Sequence, residues 1–155
     1  MTLPSEPRIG IVLLSAVGDV VHALPVVNAI KRARPRARLT WLLQDAGAAL
    51  LAGHPAIDEI LLFRRKAGLA GLVQIARQLR DRPFDVVLDL QCYFKATLLT
   101  ALCRSPVKIG LDPARAREFN WVVNNHHLPK RPTNHVQEHF LEFLDYLQIP
   151  REPLA

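Results

Sequence analysis

Residues 8–14, RIGIVLL, form a run rich in β-branched side chains with no polar alternation. A strand with one wet face alternates polar and apolar residues, so this run predicts a strand buried on both faces. Runs of the same kind recur at 38–43, 59–63, 84–90 and 107–111. Between them the spacing becomes helical. Leu69, Leu72, Val73, Ala76 and Leu79 fall on one stripe, with Gln74, Arg77, Gln78 and Arg80 opposite. The final stripe joins Val136, Phe140, Phe143, Leu144 and Leu147, and Pro150 and Pro153 beyond it act as stop signals. Strand–helix alternation of this kind predicts βαβ units with right-handed crossovers. The expected architecture is one Rossmann-like α/β domain, a parallel sheet with helices on both faces, over residues 1–149. Residues 150–155 read as the start of a linker. No internal repeat or low-complexity segment interrupts this pattern.

Composition narrows the possible partners. The 155 residues carry 20 Lys and Arg against 14 Asp and Glu, a net charge of +6. That surplus favours anionic partners: phosphates, nucleic acid or an acidic membrane face. Only 6% of residues are aromatic and no nucleic-acid motif is present, which argues against nucleic acid. Charges break every apolar run before the roughly 18 residues of a spanning helix. Residues 1–8 hold two prolines and no apolar block, unlike a secretory signal. Cys92 and Cys103 have no CxxC partner and read as reduced thiols in a cytoplasmic protein.

In a doubly wound sheet, ligands lie beyond the carboxyl ends of the strands. The first loop there is Ser15-Ala16-Val17-Gly18-Asp19. Gly18 permits a turn or a close ligand approach, and the following helix start favours an anion. The spacing is neither GxGxxG nor a Walker loop, which excludes a dinucleotide or P-loop assignment. Pro25 is expected in the first helical turn or at a kink. Asp19 has two explanations. It is a helix N-cap, or a general base whose basicity the helix terminus lowers and burial under substrate raises.

The run IVLLSAVGDVVHALPVVNAIKRARPRARLTWLL resembles the opening of the family 9 glycosyltransferases, the lipopolysaccharide heptosyltransferases. Further pieces match in order: His54-Pro55-Ala56-Ile57-Asp58-Glu59, then Phe84-Asp85-Val86-Val87-Leu88-Asp89-Leu90-Gln91. Ile109-Gly110-Leu111-Asp112, Ala114-Arg115-Ala116-Arg117-Glu118 and His135 follow. The resemblance covers nearly the whole chain. It implies the N-terminal half of a GT-B fold, which holds a Kdo/heptose-bearing lipid A acceptor. A C-terminal domain, expected to be absent here, holds the donor ADP-heptose. It also implies inverting transfer with no metal and no cofactor, and a catalytic base in the Ser-x-x-Gly-Asp motif, which is Asp19. The 155 residues alone are accordingly expected not to transfer sugar, whether cut from a longer protein or encoded by a truncated gene. Two positions depart from the family pattern. The residue two before the motif serine, basic in many members, is Leu13, and the glycine that usually follows Asp-Leu-Gln is Cys92. Both bear on acceptor contacts and leave Asp19 in place.

The acceptor-binding candidates are Ser15 and Gly18 of the motif, Gln91, and several basic residues. Arg64, Arg65 and Lys66 follow the third strand on the ligand edge, as a clamp for carboxylates and phosphates or as a solvated loop. Lys95 could reach the same cleft. Arg115 and Arg117 contact the cleft or hold their own loop through Asp112 or Glu118. His22 lines the cleft or is a partly buried structural histidine. His126 and His127 are expected in a solvent-facing loop. His135-Val136-Gln137-Glu138-His139 spells H-x-x-E-H, but the required downstream acid is limited to Glu142, Asp145 or Glu152, and the adjoining face reads as core. No metal is expected. A peripheral contact with anionic lipid headgroups at the cytoplasmic face of the inner membrane suits the basic surplus. The competing hypothesis is a non-catalytic, truncated α/β module that binds a phosphorylated glycan or nucleotide.

Overall fold

The computed structural model describes residues 1–132 and 135–151. The elements in chain order begin β1 (Arg8–Val12), α1 (Val17–Ala33), β2 (Arg38–Leu43), α2 (Asp45–Leu51) and β3 (Glu59–Leu62). A 3₁₀ turn (Arg65–Ala67), α3 (Gly68–Arg80), β4 (Val86–Asp89), α4 (Phe94–Leu102) and β5 (Lys108–Gly110) follow. The chain continues through α5 (Asn120–Val123), β6 (His126–His127) and α6 (Val136–Tyr146). The six strands are all parallel, in the order β3-β2-β1-β4-β5-β6. The expected Rossmann-like architecture is therefore present. The order reverses between β1 and β4, the point at which such sheets open a crevice.

Apolar side chains pack on both faces of the sheet. One cluster joins Val20, Val27 and Ile30 of α1 to Phe140, Phe143 and Leu144 of α6, around Ile9, Ile11 and Trp41. The other joins Ile75 and Leu79 of α3 to Ala96 and Leu99 of α4, around Val12, Leu42 and Val87. The central strands are buried almost throughout, which is why their sequences do not alternate. Among the described residues, no helix is long and apolar enough to cross a membrane.

Several expectations change in detail. The α3 stripe is rotated: Leu69 and Val73 are exposed, while Gly71, Ile75 and Leu79 are buried. Close packing selects this face, because a Cβ at Gly71 would lie 2.4 Å from the Arg64 carbonyl oxygen. On α6 the stripe holds apart from Val136, which is exposed. Pro25 lies inside α1, beyond the first turn, so the first-turn alternative is ruled out. Having no backbone N–H, Pro25 cannot donate to the Val21 carbonyl as a helical residue would. His126 and His127 form an edge strand rather than a loop. Of the expected linker, Arg151 is held by Asp145 and Glu138, and residues 152–155 lie outside the described residues, as does Glu152.

Candidate active site

The segment after β1 is fixed by four hydrogen bonds from other parts of the sheet. Trp41 Nε1 donates to the Leu13 carbonyl (3.1 Å), and the Gln44 amide donates to the Leu14 carbonyl (3.1 Å). The Leu14 amide donates to Gln91 Oε1 (2.8 Å), and Gln91 Nε2 donates to the Ser15 carbonyl (2.9 Å). α1 then starts with Ala16 as N-cap, so Asp19 is not the cap but the third helical residue. Its Oδ2 accepts the Ala16 amide at 3.3 Å, the reach-back half of a capping box. The helix-end explanation thus survives at a different position, and half-buried Asp19 has Oδ1 without a hydrogen-bond partner among the described residues.

Asp19 stands on the wall shared by two clefts at the carboxyl edge of the sheet. One, of about 520 Å³, also takes in Ser15, Gln44, Gln91, Lys95 and Glu118. The other, of about 550 Å³, is lined by Leu13, Cys92, Arg117, Phe140 and Phe143 among others. A third cavity of about 800 Å³ adjoins the first through Gln44 and holds Arg64, Arg65 and Lys66. These three cations form no ion pair among the described residues. The fold thus brings a carboxylate and a basic rim to one edge.

Gly18 is the second residue of α1, without a left-handed φ, and a Cβ there would meet nothing within 4 Å. It is not needed for a turn; what it leaves is open space. Gln91 lines both clefts, but its two amide atoms are engaged with Leu14 and Ser15. Arg115 is also committed. It pairs with Asp112 and Glu142 and donates to the Pro129 carbonyl. This is the loop-holding alternative, with Glu142 as a second acidic partner in place of Glu118. Arg117 is exposed in the second cleft and forms no ion pair among the described residues. His22 is exposed and lines neither cleft.

Both histidine segments carry specific polar contacts. His126 Nδ1 lies 2.6 Å from the Tyr146 hydroxyl, and His127 Nε2 lies 2.9 Å from the Trp121 carbonyl. The acids of the H-x-x-E-H region pair with arginines: Glu138 with Arg151, Glu142 with Arg115, and Asp145 with Arg131 and Arg151.

A buried network behind Gln91 was not anticipated from sequence. Asp89 Oδ2 accepts from Asn120 Nδ2 (2.7 Å), Thr100 Oγ1 (2.9 Å) and Asn124 Nδ2 (3.3 Å). Burial pushes the Asp89 carboxyl up to about 6, and these donors oppose the rise. Asp89 lies in the Asp-Leu-Gln piece, a signal that could have drawn attention to it; Asn120 and Thr100 carry no local signal. Glu118 Oε2 accepts the Phe94 amide at 2.5 Å and closes the start of α4 beside the first cleft.

Comparison with known proteins gives consistent results. The profile of glycosyltransferase family 9 (heptosyltransferase) matches residues 72–154. The lipopolysaccharide core heptosyltransferase OpsX of Haemophilus influenzae is 33% identical over 141 residues, covering 91% of this chain and 40% of that protein. Lipopolysaccharide heptosyltransferase 1 of Escherichia coli K12 is 27% identical over 153 residues, covering 90% of this chain and 48% of that protein. The solved E. coli heptosyltransferase WaaC with ADP-2-deoxy-2-fluoro heptose superposes with a TM-score of 0.79 at 26% identity. That match covers 96% of this chain and 50% of WaaC. The chain spans half or less of the length of each of these relatives.

Proposed function

The chain belongs to glycosyltransferase family 9, and from that premise we propose that it forms the acceptor side of a heptosyltransferase of lipopolysaccharide core synthesis. In this reading the acceptor is a Kdo/heptose-bearing lipid A, the donor is ADP-heptose, and the donor is held by a domain outside these 155 residues. The observation that carries the proposal is the place of Asp19: the wall between two clefts, beside a cavity rimmed by Arg64, Arg65 and Lys66.

The chemistry follows from that arrangement. The basic rim and Lys95 attract the acceptor's carboxylates and phosphates. An acceptor hydroxyl beside Asp19 gives its proton to the carboxylate as its oxygen attacks the anomeric carbon of the heptose. The new C–O bond forms on the face opposite the departing ADP, which leaves with the electron pair of the bond that breaks. One Asp19 oxygen is tied to the Ala16 amide, which orients the carboxylate and leaves the other oxygen to take the proton. No metal or cofactor is invoked. A peripheral contact with the cytoplasmic face of the inner membrane suits the +6 charge and a lipid-linked acceptor.

The test is Asp19→Asn in the complete gene product, assayed for transfer from ADP-heptose to a Kdo-bearing lipid A. Loss of one general base is expected to lower kcat by about 10²- to 10⁴-fold while acceptor binding persists. Full activity in the variant removes Asp19 from the base role. A wild-type gene product that binds phosphorylated glycan and transfers nothing establishes the non-catalytic module instead.

A further inference from the structure

We propose that Gln91 is a positioning residue that sets the loop bearing Asp19, and not a group that contacts the acceptor. This rests on the reading of Asp19 as base. Gln91 follows β4, and Ser15 follows β1; the two strands pair in register, with Val12 opposite Asp89. The ladder therefore brings the two loop starts side by side, although they are 76 residues apart. A primary amide offers an acceptor and a donor side by side. Oε1 takes the Leu14 amide at 2.8 Å and Nε2 reaches the Ser15 carbonyl at 2.9 Å. Asparagine is one methylene too short for this span, and glutamate has no donor for the carbonyl.

The backbone of Gln91 is itself clamped. Its amide donates to Asp89 Oδ1 (3.3 Å), and its carbonyl accepts Asn120 Nδ2 (3.1 Å). Asp89 and Asn120 are buried, at 1% and 0% exposure, so the anchor is solvent-excluded. From there the connection runs through Gln91 to Leu14 and Ser15, then through the Ala16 amide to Asp19 Oδ2. Reaction geometry is sensitive to displacements of about 1 Å, which can cost 10²-fold in rate. A loop released from Gln91 shifts the carboxylate without changing the cations that hold the acceptor.

The experiment combines kinetics of the complete gene product with amide exchange. Gln91→Ala is expected to lower kcat by about 10- to 100-fold with the acceptor KM within about threefold, and to speed exchange of the Leu14 amide at least about tenfold. Gln91→Glu keeps the Leu14 bond and loses the Ser15 bond, so it is expected to fall between wild type and Gln91→Ala in kcat and to retain slow Leu14 exchange. A raised KM with unchanged kcat makes Gln91 an acceptor contact and overturns the proposal. Unchanged kinetics, or unchanged Leu14 exchange in Gln91→Ala, overturns it as well. Asp19→Asn separates the two ideas. If it retains transfer, the base assignment fails, while Leu14 exchange in the Gln91 variants still decides whether the brace exists.

Discussion

Replacing Arg115 by methionine is expected to destabilise the fold strongly, because the guanidinium is the shared partner of two buried carboxylates. Its side chain is 13% exposed, Asp112 is 10% and Glu142 is 3%. Its two terminal nitrogens meet Glu142 Oε1 and Oε2 at 2.9 and 3.0 Å, and its Nε meets Asp112. Removing one partner of a buried ion pair costs about 3–5 kcal/mol, since the remaining charge stays desolvated. Two stranded carboxylates place Arg115→Met toward the upper end of that range at pH 7. With a urea m-value of about 2 kcal/mol/M, the unfolding midpoint is expected to drop by about 2 M. The triple variant Arg115→Met, Asp112→Asn, Glu142→Gln removes the stranded charges and is expected to recover at least half of the loss. Acidity supplies a second check. Burial pushes the Asp112 carboxyl up, but the hydrogen bond and charge of Arg115, together with the Ala114 and Arg115 backbone amides, outweigh it and hold the group below its usual range. A depressed carboxyl contributes stability above its unfolded pKa and loses it as pH falls through its folded pKa. In the variant, Asp112 keeps its burial but loses Arg115, so its carboxyl protonates more readily on acidification. The gap between wild type and variant therefore narrows from pH 7 toward pH 4. A loss below about 1 kcal/mol at pH 7, the range of exposed pairs, would refute this reasoning and return Arg115 to the cleft as an available cation.

Gly110→Ala would place a Cβ 2.3 Å from Asn124 Nδ2, an atom bonded to Asn120 and near Asp89. Overpacking of this kind costs about 1–3 kcal/mol, so the melting temperature is expected to fall by about 2–12 °C; an unchanged value shows that Asn124 moves freely. Burial pushes the Cys92 thiol up to about 11 and the Cys103 thiol up to about 12. Relative to a free cysteine, iodoacetamide at pH 7.5 is expected to label Cys92 about a hundredfold and Cys103 about a thousandfold more slowly, and fast labelling of Cys92 would mean that the second cleft opens further than this structure shows.

Part of the site could be read from neighbours in sequence. The Ser15–Asp19 segment announces itself because a buried strand ends abruptly in small residues before a helical pattern. Arg64, Arg65 and Lys66 likewise stand directly after a strand, so the topology alone assigns them to the ligand edge. Local pattern misled where two solutions overlapped. α3 carries two apolar stripes, and the packing of Ile75 and Leu79 on the sheet, with Gly71 close to the Arg64 carbonyl, selects between them. β6 has two residues, too few for any periodicity to appear.

The sequence by itself determined the parallel α/β architecture and the place of Asp19 after the first strand, because strand burial and loop position follow from runs of adjacent residues. Only the tertiary structure decided what Gln91, Arg115 and Asp89 do. Their roles depend on partners such as Ser15 across 76 residues, Glu142 across 27 and Asn120 across 31. Buried polar groups are satisfied by whichever donors and acceptors packing brings within 3 Å or so, and that choice has no counterpart in local spacing.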